Sequence, residues 1–118
     1  MKYFSFKLVL INYFVFCLAY SQTSGKISGK IIDASSENPL FGANIIIVQT
    51  QAGISADEDG YFNLINVPPG KYSVKAMMIG YETVNVENVI VSVNRTTSLD
   101  IKMKQSIVEG QEVIIYAS

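Results

Sequence analysis

Residues 59–76 constrain the fold more than any other part of the chain. They read Asp59-Gly60-Tyr61-Phe62-Asn63-Leu64-Ile65-Asn66-Val67, then Pro68-Pro69-Gly70, then Lys71-Tyr72-Ser73-Val74-Lys75-Ala76. The first part is apolar and aromatic, which suits a pleated, half-buried surface. Pro68-Pro69-Gly70 stops it, because two prolines remove two backbone donors and Gly70 permits positive φ. Beyond this corner Tyr72, Val74 and Ala76 alternate with Lys71, Ser73 and Lys75. That is the period-two signature of a strand with one dry face and one wet face. The unit specifies a fold rather than a reaction.

The 118 residues suffice for one domain. Residues 1–21 read as a secretory signal, with Lys2 and Lys7 before an apolar run at residues 8–18. That run is too short to span a bilayer. Ala19-Tyr20-Ser21 offers small residues where signal peptidase reads them, so cleavage is expected before Gln22. Cys17 follows Phe16 rather than a small residue, which argues against a lipoprotein signal, and it would be lost on cleavage. The exported chain then has no cysteine and a fold that does not rely on disulfides. Removing Lys2 and Lys7 leaves seven basic residues against ten acidic ones, a net charge of −3. No basic cluster appears, so nucleic acid is not an expected partner.

The remainder reads as short strands. After a polar lead-in at residues 22–25, strands are expected at 26–32, 43–48, 54–56, 61–67 and 71–79, then at 82–86, 88–93 and 97–104. Gly29 inside the first strand marks a bulge or a close backbone approach. Ile45-Ile46-Ile47-Val48 fits a strand covered on both faces, or one covered by a partner. Turns fall at residues 33–39, at Asp57-Glu58-Asp59-Gly60 and at Asn94-Arg95-Thr96, which also matches a glycosylation sequon. No helical spacing follows the signal. Strands at intervals of roughly 8–12 residues imply a small all-β antiparallel sandwich of seven or eight strands over residues 26–104. Residues 105–111 read as a polar linker. Residues 112–118, Glu112-Val113-Ile114-Ile115-Tyr116-Ala117-Ser118, read as an apolar strand that needs a partner outside the finished domain, the alternative being a final β-strand of the sandwich itself.

Chemistry is sparse. The chain has no histidine, so neither a histidine-ligated zinc site nor a Ser-His-Asp triad is available. No enzyme, no cofactor and no metal site are expected. Asp57-Glu58-Asp59-Gly60 has the look of a calcium loop, but residues 61–66 supply no carboxylate; the carboxylates are expected to cap backbone donors. Tyr61 and Tyr81 are candidates for stacking on a sugar ring, against the alternative that they pack at strand ends.

Three motifs in order, Asp59-Gly60-Tyr61-Phe62, Val67-Pro68-Pro69-Gly70-Lys71-Tyr72 and Ile79-Gly80-Tyr81-Glu82, make residues 25–104 resemble the carboxypeptidase regulatory-like domains. Gly29-Lys30-Ile31-Ile32-Asp33 and Asn38-Pro39-Leu40-Phe41-Gly42-Ala43-Asn44-Ile45 are similar to the family's opening pattern. The resemblance implies a transthyretin-like sandwich and an accessory role, since such modules accompany catalytic or transport domains. The tail, Glu112, Val113, Ile114, Ile115 and Tyr116, resembles a TonB box, the segment of outer-membrane receptors that pairs with the energy-transducing protein TonB. Together these imply the N-terminal part of a TonB-dependent outer-membrane receptor for nutrient uptake, without its plug and barrel. The implied setting is the periplasm and outer membrane of a Gram-negative-type cell. The alternative expectation is a stand-alone exported carbohydrate-binding or adhesion module, with a glycan as its ligand.

Overall fold

A computed structural model describes residues 23–106 and 112–117. The expected signal segment, residues 107–111 and Ser118 lie outside the described residues. The described chain is all β: β1 Gly25–Asp33, β2 Asn44–Ile47, β3 Gly53–Ser55, β4 Tyr61–Val67, β5 Gly70–Met77, β6 Thr83–Val91, β7 Thr96–Ser98, β8 Ile101–Met103 and β9 Glu112–Tyr116. Two sheets face each other. One runs β4-β1-β7, with β8 also on β1, and the other runs β3-β2-β5-β6-β9. The expected sandwich is present with nine strands rather than seven or eight. Its centre is antiparallel, but β7 and β8 pair with β1 in parallel and β9 pairs with β6 in parallel.

The pair around Pro68-Pro69-Gly70 forms as its alternation requires, but its two strands go to different sheets. β4 joins β1, and β5 joins β2 and β6. The corner is therefore a crossing between layers rather than a hairpin. Phe62, Leu64 and Val67 from β4 meet Tyr72, Val74 and Ala76 from β5 in one core. Ile27, Ile31, Ile45, Ile47, Ile101 and Met103 complete its centre. Burying each such side chain contributes roughly 1.5–3 kcal/mol. Tyr72 keeps its hydroxyl satisfied by donating to the Pro68 carbonyl at 2.6 Å, which fastens the corner to the strand that follows it.

Four local readings change. The isoleucine run in β2 alternates after all: Ile45 and Ile47 are buried and Ile46 is half-buried, because only one face of the sheet meets the other sheet. β5 ends at Met77, and Ile79 stands 94% exposed in the following turn. The two strands expected at 82–86 and 88–93 are one, β6, interrupted by a bulge. Tyr72 pairs with Val89 and Val74 with Val86, so β6 carries one residue more than β5 across that interval. Asn88 takes a φ of 62° there, and the extra residue lets both Val84/Val86 and Val89/Val91 face inward. The last expected strand splits into β7 and β8 at Leu99-Asp100. Gly29 accounts for that split. A Cβ at this position would overlap the Leu99 carbonyl oxygen, so the close backbone approach expected from a strand glycine is the passage of the β7–β8 connection over β1.

Candidate functional site

The tail is where sequence and structure differ most. Glu112–Tyr116 does not stand unpaired: Val84 faces Val113, Asn85 faces Ile114 and Val86 faces Ile115 along the edge of β6. The apolar alternation that makes the segment a strand-former also fits it to an edge of its own domain. The Ala117 N–H donates to the Glu87 carbonyl at 2.8 Å. By alternation Val113 and Ile115 turn their backbone groups toward β6, whereas Glu112, Ile114 and Tyr116 present theirs to the open side. Among the described residues β9 is the last strand of its sheet, so that row of donors and acceptors borders no further strand.

The side chains of β9 are held far less firmly than its register suggests. Val84 and Val86 are buried, yet their neighbours Val113 and Ile115 are 38% and 43% exposed. Opposite them the other sheet tapers into Leu99, Asp100 and the three-residue β8, leaving a groove of about 250 Å³ lined by Val86, Leu99, Ile101 and Ile115. On the outer face Ile114 and Tyr116 are exposed. The strand carries no lysine, no proline and only Glu112 as a charge, so it lacks the usual protections of an exposed edge.

The chain just before the undescribed residues is anchored rather than free. Gln105, expected to open a linker, forms an antiparallel bridge with Tyr81, and the Ser106 N–H donates to the Gly80 carbonyl at 2.9 Å. Tyr81 and Gln105 both attach to a polar centre at Asp33, which is only 4% exposed. Its Oδ1 accepts the N–H groups of Ser35 and Ser36 at 2.8 and 2.9 Å, and its Oδ2 accepts the Tyr81 hydroxyl at 2.7 Å and the Gln105 amide at 3.4 Å. The Tyr81 hydroxyl, then the two backbone donors, lower the Asp33 pKa from 3.8 to about 2, and the carboxylate raises that of Tyr81 in return.

The two candidate stacking residues therefore occupy different settings. Tyr81 packs against the core with its hydroxyl engaged, beside a shallow groove with Asn44, Met77 and Ile79. Tyr61 is 54% exposed and lines a separate groove of about 630 Å³ with Ile32, Ile101, Lys102 and Ile115. Lys30 Nζ lies 5.2 Å from the Tyr61 ring centroid, so one ring face already meets a cation. They do not form one platform. The Asp57 carboxylate accepts the N–H groups of Asp59 and Tyr61, both at 2.9 Å, which is the turn-capping role expected of this loop. Asn94 sits at φ 56° in the turn between β6 and β7, and its N–H donates to Ser24.

The family profile of the CarboxypepD_reg-like domain matches residues 27–115, which takes in β1 through most of β9. The chain belongs to that family. A CarboxypepD_reg-like domain is a β-sandwich, and the two sheets described above are this chain's version of it. Comparison with curated proteins returns no match. Among solved structures the chain is similar to a chain of a type II cohesin–X-dockerin complex from Acetivibrio cellulolyticus, with 29% identity and a TM-score of 0.57 over 67% of this chain and 56% of that one. It is also similar to a candidate carbohydrate-binding protein of Bacteroides uniformis (15% identity, TM-score 0.52, 66% and 40% covered). A third is BcpA, the major pilin subunit of Bacillus cereus (19% identity, TM-score 0.54, 71% and 31% covered). The chain thus spans little more than half of the cohesin–dockerin chain it matches and less of the other two. Family and neighbours fit an accessory, non-catalytic module.

Proposed function

We propose that this CarboxypepD_reg-like domain is the N-terminal accessory module of a TonB-dependent outer-membrane receptor, and that β9 is the strand it offers to TonB. The open edge of β9 supports this reading. Along Glu112–Tyr116, the last described strand of its sheet, alternate residues turn backbone donors and acceptors to the open side, with exposed apolar side chains and no protecting charge or proline in the middle. Such an edge suits strand addition, in which main-chain hydrogen bonds give affinity and alternate side chains give selectivity. In this reading the domain is exported to the periplasm and its substrate-handling parts are a plug and a barrel elsewhere in the receptor.

A titration of the domain with the TonB C-terminal domain tests it. Saturable binding is expected, and Ile114→Pro should weaken it at least about 10-fold. The lost N–H is one that faces away from β6, so the domain's own ladder keeps its bonds. Absence of binding at high micromolar concentration would count against the reading.

A second reading is a carbohydrate-binding or adhesion module, favoured by the half-exposed Tyr61 beside Lys30 and Lys102 in the larger groove. Sugar binding there would have to displace Lys30 from the ring or use its other face. A glycan response abolished by Tyr61→Ala and untouched by Tyr81→Phe would favour this second reading over the first.

A further inference from the structure

The seam between β6 and β9 contains an unusual polar atom. Asn85 sits mid-seam on the outer face of the sheet, level with Lys75 of β5 on one side and Ile114 of β9 on the other. Its Oδ1 is buried and meets no donor. It is the single buried side-chain oxygen or nitrogen in that condition among the described residues. In water this carbonyl oxygen would be fully hydrogen-bonded, so burying it in the sheet between Lys75 and Ile114 carries an uncompensated desolvation cost.

That cost falls on a weak seam. No side chain of Glu112–Tyr116 is fully buried: Val113 and Ile115 stay 38% and 43% exposed, so docking removes only part of their apolar surface from water. The backbone bonds exchanged with β6 replace bonds to water and bring only a modest net gain each. Ordering the strand opposes them. A site that merely stabilised the sandwich would carry a better strand-former at position 85, such as the threonine at position 83 on the same face. We infer that the β6–β9 seam is poised to open: β9 undocks while the rest of the sandwich stays folded, and Asn85 sets how readily it does so. The inference deepens the reading of β9 as the partner strand. A strand that leaves its own sheet without unfolding the domain is one a bound partner can draw away.

Amide hydrogen exchange on the full chain tests this without any partner. In the wild type the Ile115 and Ala117 amides, which face β6, should exchange far faster than the amides that join β5 to β6. Asn85→Leu keeps the side chain's size and removes the orphan acceptor. It should slow exchange at Ile115 and Ala117 by about 5- to 150-fold, the equilibrium equivalent of the penalty for a buried unsatisfied group. Thr83→Leu, on the same outer face opposite Glu112, controls for added apolar surface and should slow them less than about 3-fold. Equal effects of the two substitutions would overturn the role of Asn85. Wild-type β9 amides as protected as those of β5 would overturn the poised seam itself. Failure to bind TonB would defeat the proposed function and leave these exchange rates to judge the seam.

Discussion

Strand β6 has two neighbours, and the contrast between them carries most of what this domain teaches. Toward β5 it pairs antiparallel over Gly70–Ala76, with Val74, Ala76, Val84, Val86, Val89 and Val91 all buried beneath the seam. Toward β9 it pairs in parallel over five residues, and no side chain of β9 is fully buried. The same strand therefore has one edge sealed by the opposing sheet and one edge that overhangs it. Backbone pairing makes both seams look alike in a diagram of the sheet. Burial makes them different in kind, because the net gain from a hydrogen bond exchanged with water is small and the gain from apolar burial is not.

The comparison breaks most visibly in the core. Ile45 of β2 is fully buried against the opposite sheet. Ile45→Ala should cost about 2–5 kcal/mol, read as a lower midpoint in urea unfolding with an unchanged slope. A cost under about 1 kcal/mol would mean that the core can collapse around the lost side chain.

Acid tests the polar centre that ties the end of the described sandwich to the turn after β1. Asp33 is lowered from 3.8 to about 2 by the Tyr81 hydroxyl first and the Ser36 and Ser35 N–H groups next. A carboxylate whose folded pKa is depressed contributes stability that is fully present above its unfolded value. That contribution is lost as the pH falls from about 4 toward about 2. Stability should therefore decline over that window in the wild type. Asp33→Asn should be less stable at neutral pH and show a flatter dependence on acid, and Tyr81→Phe should shift the wild-type decline to higher pH. Identical acid slopes in wild type and Asp33→Asn would assign the decline to other carboxylates.

How much of this was legible in the sequence follows from the range of the interactions. The alternation in Tyr72-Ser73-Val74-Lys75-Ala76 and the Pro68-Pro69-Gly70 stop are local, and β4 and β5 lie where they indicate. Asp57 capping its own turn is local as well. The β6 bulge was half legible: the inward valines change phase between Val86 and Val89, and that shift reads equally well as a break between two strands. The Asp33 centre joins residues up to 72 apart, and only its Ser35 and Ser36 contacts lie within reach of a local pattern. The docking of β9 was legible only as the alternative to an outside partner. An apolar strand-former at residues 112–116 suits a foreign sheet and the β6 edge equally, and the choice depends on β6 ending its sheet, which is a property of topology. Asn85 carries no local signal: alternation with Val84 and Val86 puts it on the outer face, and neither the burial of its Oδ1 nor the missing donor follows from the residues beside it.

The smallest expected effect sharpens the comparison best. Ile115 has the same side chain as Ile45, points inward and lies beside buried Val86, but is 43% exposed where it borders open grooves with Ile32, Leu99 and Ile101 of the opposing side. Ile115→Ala should cost under about 1 kcal/mol of global stability, since the surface it loses was half wet and any void left opens directly to solvent. If β9 unfolds with the domain as one unit, its share of the lost packing appears in the urea midpoint. If β9 detaches first, the midpoint hardly moves and the loss appears only as faster exchange at the Ala117 amide. Ile45→Ala and Ile115→Ala delete the same atoms, so the ratio of their effects measures how far the second edge of β6 belongs to the folded core.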